Sequence, residues 1–355
     1  MRQGKTIVDL ATELEAQMAT KKDYVVKTPA LEMSLLNTEV PRLHARGADE
    51  LDWGVNNLAH SQIAERTGIP GAYYKRMLAS WPALLVMNVN HWFKNQPESR
   101  MLRTMNGNVR AFLSDRYKPI DNFDVADTLL PVLSEAGAKV ESCELTERRM
   151  YLKAVFPKIQ GDVGKGDPVQ AGLIISNSEV GCGSVDVRPL VYRLVCLNGL
   201  IVEDYRMKRH HVGRLFEGDG NFNMFSSETV QADNKAFFMK MRDVVKHVLT
   251  QEVFNGILSK IQEAAGVKIE THPEALVKEI GMRHQLNERE QGGILRHLID
   301  GGDLSKWGLV NAVTRTSQDV EDYDRATELE VLGGNRLNIE RSAWQSIAVD
   351  AKAAA

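Results

Sequence analysis

The stretch SRMLRTMNGNVRAFLSDRYKP, Ser99–Pro119, decides the reading of the fold. Two β-compatible runs flank Asn106-Gly107, the pair that most favours a tight type I′ hairpin. Alternation places Met101, Arg103 and Met105 on one face and Leu102 and Thr104 on the other. Downstream, DNFDVADTLLPVLSEAG predicts a helix capped by Asp121 and ended at Gly137. AKVESCELT and RMYLKAVFP then predict a second hairpin across the ERR at 147–149. VQAGLIISNS and VDVRPLVYRLVCLNGLI follow as further strands, the latter with a short helix as an alternative ending. An antiparallel sheet with a packed helix is the expectation for this middle region.

Working outward, residues up to about 50 read as extended pieces and turns. NNLAHSQIAERTGIPGAYYKRMLASWP then predicts two short helices split at Gly68, with Pro70 near the second start. Ala64 and Gly68 are spaced as in a helix-turn-helix, but Tyr74 stands where that motif takes a branched aliphatic residue. A helical hairpin packing Ile63, Ile69 and Leu78 is the plainer reading. From residue 227 onward the chain is helical, with Phe237, Met241, Val244, Val245 and Val248 at three- and four-residue spacing. The fold class is α+β. It comprises an N-terminal region with a helical hairpin (1–95), an antiparallel core with basic hairpins (96–226) and a helical C-terminal region with an acidic segment (227–355).

At 355 residues the chain is long enough for a sizeable core. No run of about 18 apolar residues suggests a membrane span. The N-terminal apolar run is broken by Asp9, Glu13 and Glu15, unlike a signal peptide. Three cysteines, Cys143, Cys182 and Cys196, suit reduced cytosolic thiols better than a disulfide framework. The net charge of −3 hides an uneven distribution. Arg100, Arg103, Arg110, Arg116 and Lys118 cluster in one stretch. Arg188, Arg193, Arg206, Lys208, Arg209 and Arg214 cluster in another. The segment DVEDYDRATELE, Asp319–Glu330, carries six acids against one arginine. A basic middle suggests a polyanionic partner.

Three ordered stretches carry a resemblance. They are AFLSDRYKPIDNFDV, ISNSEVGCGSVDVRPLVYRLVCLNGL with KRHHVG, and WGLVNAVTRTSQDVEDYDRATELE. Together they resemble an uncharacterised family of bacteriophage and plasmid proteins, over roughly Asp52 to Gly334. The matching positions are Asn177-Ser178, then Arg193, Cys196 and Asn198, then Arg209-His210. After the Asn-Ser pair the family has a His-Asp-Gly-like site, whereas this chain has Glu179-Val180-Gly181, which counts against a metal site at that turn. The resemblance implies a mobile-element protein in a bacterial cytoplasm, near genes for DNA replication, recombination or resistance to host defence. It assigns no catalytic residues.

Cys182, Cys196, His210 and His211 share one segment, but no close Cys pair exists and adjacent histidines on a strand point apart, so no metal is assigned. Asp115, Asp121, Glu141, Glu144, Glu179 and Asp186 are the carboxylates a metal-dependent nuclease would use, without a recognised nuclease spacing. QGDVGKGDP lacks phosphate-loop spacing, and no cofactor is expected. The turn NSEVGCGS has the composition of an anion-binding nest or a plain tight turn. The favoured function is binding of single-stranded DNA, in annealing or replication and recombination. Arg103, Arg110, Arg116, Lys118, Arg193, Arg206, Lys208, Arg209, His210 and Arg214 would meet phosphates, with Tyr117 and Tyr205 as stacking platforms. The helical C-terminal half would serve homo-oligomerisation or partner contact. The alternative is a host-factor or anti-defence interaction protein using the acidic 319–330 segment. A second alternative is a metal-dependent nuclease using the carboxylates above, although the sequence favours a non-enzymatic protein.

Overall fold

The computed structural model describes residues 1–35, 40–46, 51–203, 206–209, 227–248, 250–338 and 344. Helix α1 (Ile7–Met18) begins on a capping box in which Thr6 and Asp9 satisfy each other's backbone amides. A first sheet then forms from β1 (Lys22–Lys27), β2 (Leu31–Ser34), β3 (Arg42–Ala45), β4 (Leu51–Val55), β5 (Ser99–Met105) and β6 (Asn108–Ser114). Its strand order is β1-β5-β6-β4-β3-β2. Every pairing is antiparallel except β4 with β6. Asn106 and Gly107 both take positive φ, +50° and +72°, as the type I′ turn requires. β5 and β6 thus pair with the N-terminal strands, and the first sheet runs across position 95. The reason is local to β6: its free edge takes β4 in parallel, after a crossover of three helices.

Those helices are α2 (Asn57–Arg66), α3 (Gly71–Ser80) and α4 (Pro82–Asn95). Gly68 turns α2 into α3 with φ +69°, a region that costs any residue with a Cβ. Ile63, Met77, Val89 and Phe93 close a core against Met33, Leu43, Leu102 and Phe112. The rings of Phe93 and Phe112 stack at 5.8 Å.

After α5 (Asn122–Glu135) comes the second sheet, formed by β7 (Lys139–Leu145), β8 (Met150–Asp162), β9 (Pro168–Asn177), β10 (Val185–Arg193), β11 (Asn198–Ile201) and β12 (Met207–Arg209). The order is β11-β10-β9-β8-β7, with β12 beside β10. All of its pairings are antiparallel. The alternative short helix after β10 does not form: Leu197 takes φ +53° and the chain returns as β11. Helices α1, α5 and α6 (Ser227–Val248) cover one face. Val169 and Ala171 share that face with Leu173 and Ile175 and pack against α7 (Gln251–Gly266), with α10 (Lys306–Thr316) beside β11, while the other face packs against α11 (Tyr323–Leu337). Burial on both faces explains why β8 and β9 read as nearly unbroken apolar runs. Outside α10 and α11 lie α8 (Pro273–His284) and α9 (Glu288–Gly301), around a further core of Ile280, Ile294, Leu309 and Leu329. The α+β class expected from the sequence is the class observed. No described helix is long and apolar enough to cross a membrane.

Loops of the second sheet reach across to the first sheet and its helices. The β9–β10 loop reaches the first sheet, and the β7–β8 tip reaches α2. Gln62 of α2 donates to Val180 O at 2.8 Å, and Tyr117 donates to Ser178 O at 2.9 Å.

Candidate nucleic-acid interface

The cations named from the sequence do not form one exposed track. Arg103 is buried between Asp23 and Asp121, at 2.9 and 2.7 Å, and also donates to Glu179 O. Arg110 is buried on Glu179 at 2.6 Å, a carboxylate that also takes Lys21 at 2.7 Å and Asn122 N at 2.6 Å. Burial alone would disfavour the Glu179 charge, but Arg110 and Lys21 hold its pKa down to about 2. Tyr117 is buried, so its ring offers no stacking platform. Asp121 occupies the α5 cap position without capping it, because its carboxylate is committed to Arg103.

On the second sheet, Arg193 pairs with Asp167 at 2.5 Å and Arg206 with Asp186 at 2.6 Å. Arg188 holds the other side of Asp186. Arg206, the first cation of the basic stretch that ends at Arg214, is therefore an internal ion-pair partner. Lys208 and Arg209 lie on β12, with side chains outside the described residues; Tyr205, His210, His211 and Arg214 lie outside them altogether. Arg116 and Lys118 are exposed on the β6–α5 connection.

The carboxylates are also largely engaged. Glu141 pairs with Lys139 and Glu144 with Lys5. In the acidic segment, Asp319 meets Arg296 and His297, Asp322 caps α11, and Asp324 accepts from Tyr151 and Thr146. Glu330 is fully buried on Lys153 at 2.6 Å. Among the described residues, no three His, Cys, Asp or Glu side chains converge as a metal-holding group.

A different place gathers free cations and aromatics. Helices α2 and α3, with the β7–β8 tip, enclose a cavity of about 710 Å³. The tip is held in shape by the Thr146 hydroxyl, which accepts from the amides of Arg148 and Arg149. Glu147 reaches across to accept from Leu58 N at 3.2 Å, a carboxylate on the first turn of α2 that complements its dipole. Arg148 stands at the rim, exposed, its guanidinium without a hydrogen bond or ion pair among the described residues. Opposite it Lys75 lines the cavity from α3, likewise unpaired, and Arg76 follows on the exposed face. Tyr73 on that helix is 45% exposed, and Trp81 at its end is 66% exposed.

The cavity floor is different in character. His60 and Tyr74 are buried, with Nδ1 of His60 2.9 Å from Tyr74 Oη and the rings 5.7 Å apart. Burial pushes the imidazole down to about 4 and the phenol up. The histidine is therefore neutral at neutral pH, and the charge of the site stays at its rim. Small residues, Ala64, Ala72 and Ala79, line the helical walls.

Arg148 also lines a second cavity of about 340 Å³, between the second sheet and α11, with Arg149, Cys182 and Asp186. Arg149 donates to Cys182 O there. Acids balance the guanidiniums, so this cavity lacks the net positive rim of the first.

Tyr73, Lys75, Arg76, His60 and Arg148 were not singled out by the sequence. The available signal was the exposed face of α3, where Tyr73 and Arg76 fall three residues apart beside the buried stripe of Tyr74 and Met77.

A family model described as a domain of unknown function, DUF932, matches residues 110–344. No curated protein and no solved structure matches the chain. The matched span includes Glu147 and Arg148, while α2 and α3 precede it.

Proposed function

The chain belongs to the DUF932 family, a domain of unknown function, and we propose that it binds single-stranded DNA in the groove between α2, α3 and the β7–β8 tip. One observation carries this reading. Among the described residues Lys75 and Arg148 line the groove without an ion pair, while Tyr73 and Trp81 stand exposed on the same helical unit. Single-strand binders combine these two elements, cations for the backbone and aromatic faces for the bases. The β7–β8 tip argues for a single strand over a duplex. A recognition helix must project freely into a major groove about 12 Å wide, whereas one side of α3 is walled by Glu147 and Arg148. The setting we propose is a mobile genetic element, phage or plasmid, acting in a bacterial cytoplasm.

The test is fluorescence anisotropy with labelled single- and double-stranded DNA across a salt series. Single strands should bind more tightly, with affinity falling steeply as salt rises. Lys75→Ala with Arg148→Ala should weaken binding to all sequences and flatten the salt slope by about 0.7 for each phosphate that the variant no longer neutralises. Absence of binding at about 50 mM salt, where electrostatic attraction is strongest, overturns the reading.

A further inference from the structure

We infer that the floor of the α2–α3 cavity is a base pocket, which takes an unstacked nucleobase of the bound strand and offers it the Nε2 edge of His60. This rests on the single-strand reading and adds where a base goes and what meets it. The volume, about 710 Å³, falls in the range of roughly 300–1,000 Å³ typical of small-ligand sites. Its walls carry alanines, and Tyr74, whose ring is buried, acts there only through its bond to His60.

His60 is only 5% exposed and lines the cavity. Its Nδ1 is taken by Tyr74; its Nε2 has no protein partner among the described residues. A phenol is a stronger acid than a neutral imidazole, so Tyr74 is the natural donor of this bond. That leaves the ring proton on Nε2, a neutral donor suited to a carbonyl oxygen or ring nitrogen on a base. A charged ligand group would find no counter-charge at this depth. At the mouth, by contrast, Lys75 and Arg148 are placed for the phosphates that flank an inserted base. Glu147, the acid at the mouth, is already held on the α2 amide of Leu58. The division between neutral floor and cationic rim matches a nucleotide, whose base is neutral and whose backbone is anionic.

The experiment is an abasic scan. The shortest single-stranded oligonucleotide that binds the full chain is made with one base removed at each position in turn, and each is titrated by anisotropy. Minimal length leaves no spare register in which to avoid the gap. In the wild type, one or two neighbouring positions should weaken binding by about tenfold, the scale of removing one stacked base. Ala79→Phe fills the cavity from an exposed helical position and should flatten the scan while retaining salt-sensitive binding. His60→Gln keeps a donor and should reduce the contrast between bases at the sensitive position. Tight binding with a flat wild-type scan overturns the base pocket and leaves the single-strand reading standing. A sensitive position that survives Ala79→Phe places the base elsewhere and also overturns it. Failure of every intact oligonucleotide to bind overturns both.

Discussion

Glu179 shows at the scale of one residue how this protein uses charge. Its carboxylate is 2% exposed and meets Lys21, Arg110 and the Asn122 amide, while its carbonyl takes Arg103. Removing one partner from such a group leaves the others buried and uncompensated, so Glu179→Gln should destabilise the fold by about 3–5 kcal/mol. Its pH dependence has a definite sign. The folded-state pKa is depressed to about 2 from an ordinary value of 4.5. The stabilisation is therefore fully present above about pH 4.5 and is lost as pH falls towards 2. Urea midpoints measured at pH 5, 4 and 3 should decline more steeply in the wild type than in Glu179→Gln. Parallel declines would show that the carboxylate contributes no such linkage. None of these partners is visible in NSEVGCGS itself: Lys21 and Arg110 lie 158 and 69 positions away in the chain.

At the scale of elements, legibility followed the range of the interaction that fixes each one. The Asn106-Gly107 hairpin, the Gly68 break and the Gly137 helix end were readable, because each depends on the φ preference of one or two residues. The partner of β6 was not readable, since a parallel pairing through three helices is set by packing far along the chain. The same limit governed the site. Arg and Lys residues identify a basic stretch, but whether each faces solvent depends on carboxylates brought from other elements, as with Arg206 and Asp186. Where α11 covers the second sheet, such a pairing has a measurable energetic cost. Lys153 points from β8 into that face, fully buried, bonded to Glu330 at 2.6 Å and Thr327 at 3.2 Å. Burial opposes its charge, yet Glu330 raises its pKa overall. Lys153→Ala should cost about 3–5 kcal/mol by stranding Glu330. The double replacement Lys153→Met with Glu330→Leu should recover most of that deficit, because matched apolar side chains avoid desolvating two ions. Denaturant unfolding of the wild type and both variants checks this. A double variant as unstable as Lys153→Ala would mean that packing around α11, and not the stranded charge, sets the cost.

At the scale of the whole molecule, the two sheets have separate cores, and the proposed DNA groove lies where they meet. The first core belongs to β1–β6 with α2–α4, and the cores around the second sheet belong to β7–β11 with their own helices. The β9–β10 loop and the β7–β8 tip carry Glu179, Val180 and Glu147 across to the first sheet and its helices. If these links make the two parts one cooperative unit, the wild type should melt in a single calorimetric transition. Cutting them with Glu179→Gln and Glu147→Ala together should separate two transitions, with the first-sheet part melting at the lower temperature. Tryptophans make the parts distinguishable: Trp53, Trp81 and Trp92 belong to the first, Trp307 and Trp344 to the second. Replacing the first three by phenylalanine gives a fluorescence probe of the second part alone. A double variant that still melts in one transition would assign the coupling to other links, such as the packing of Leu58 and Leu113 around Val180. Split melting would have a direct consequence for binding. A ligand that touches both Lys75 of α3 and Arg148 of the β7–β8 tip should then draw the two transitions back together, because it binds only when both parts are folded.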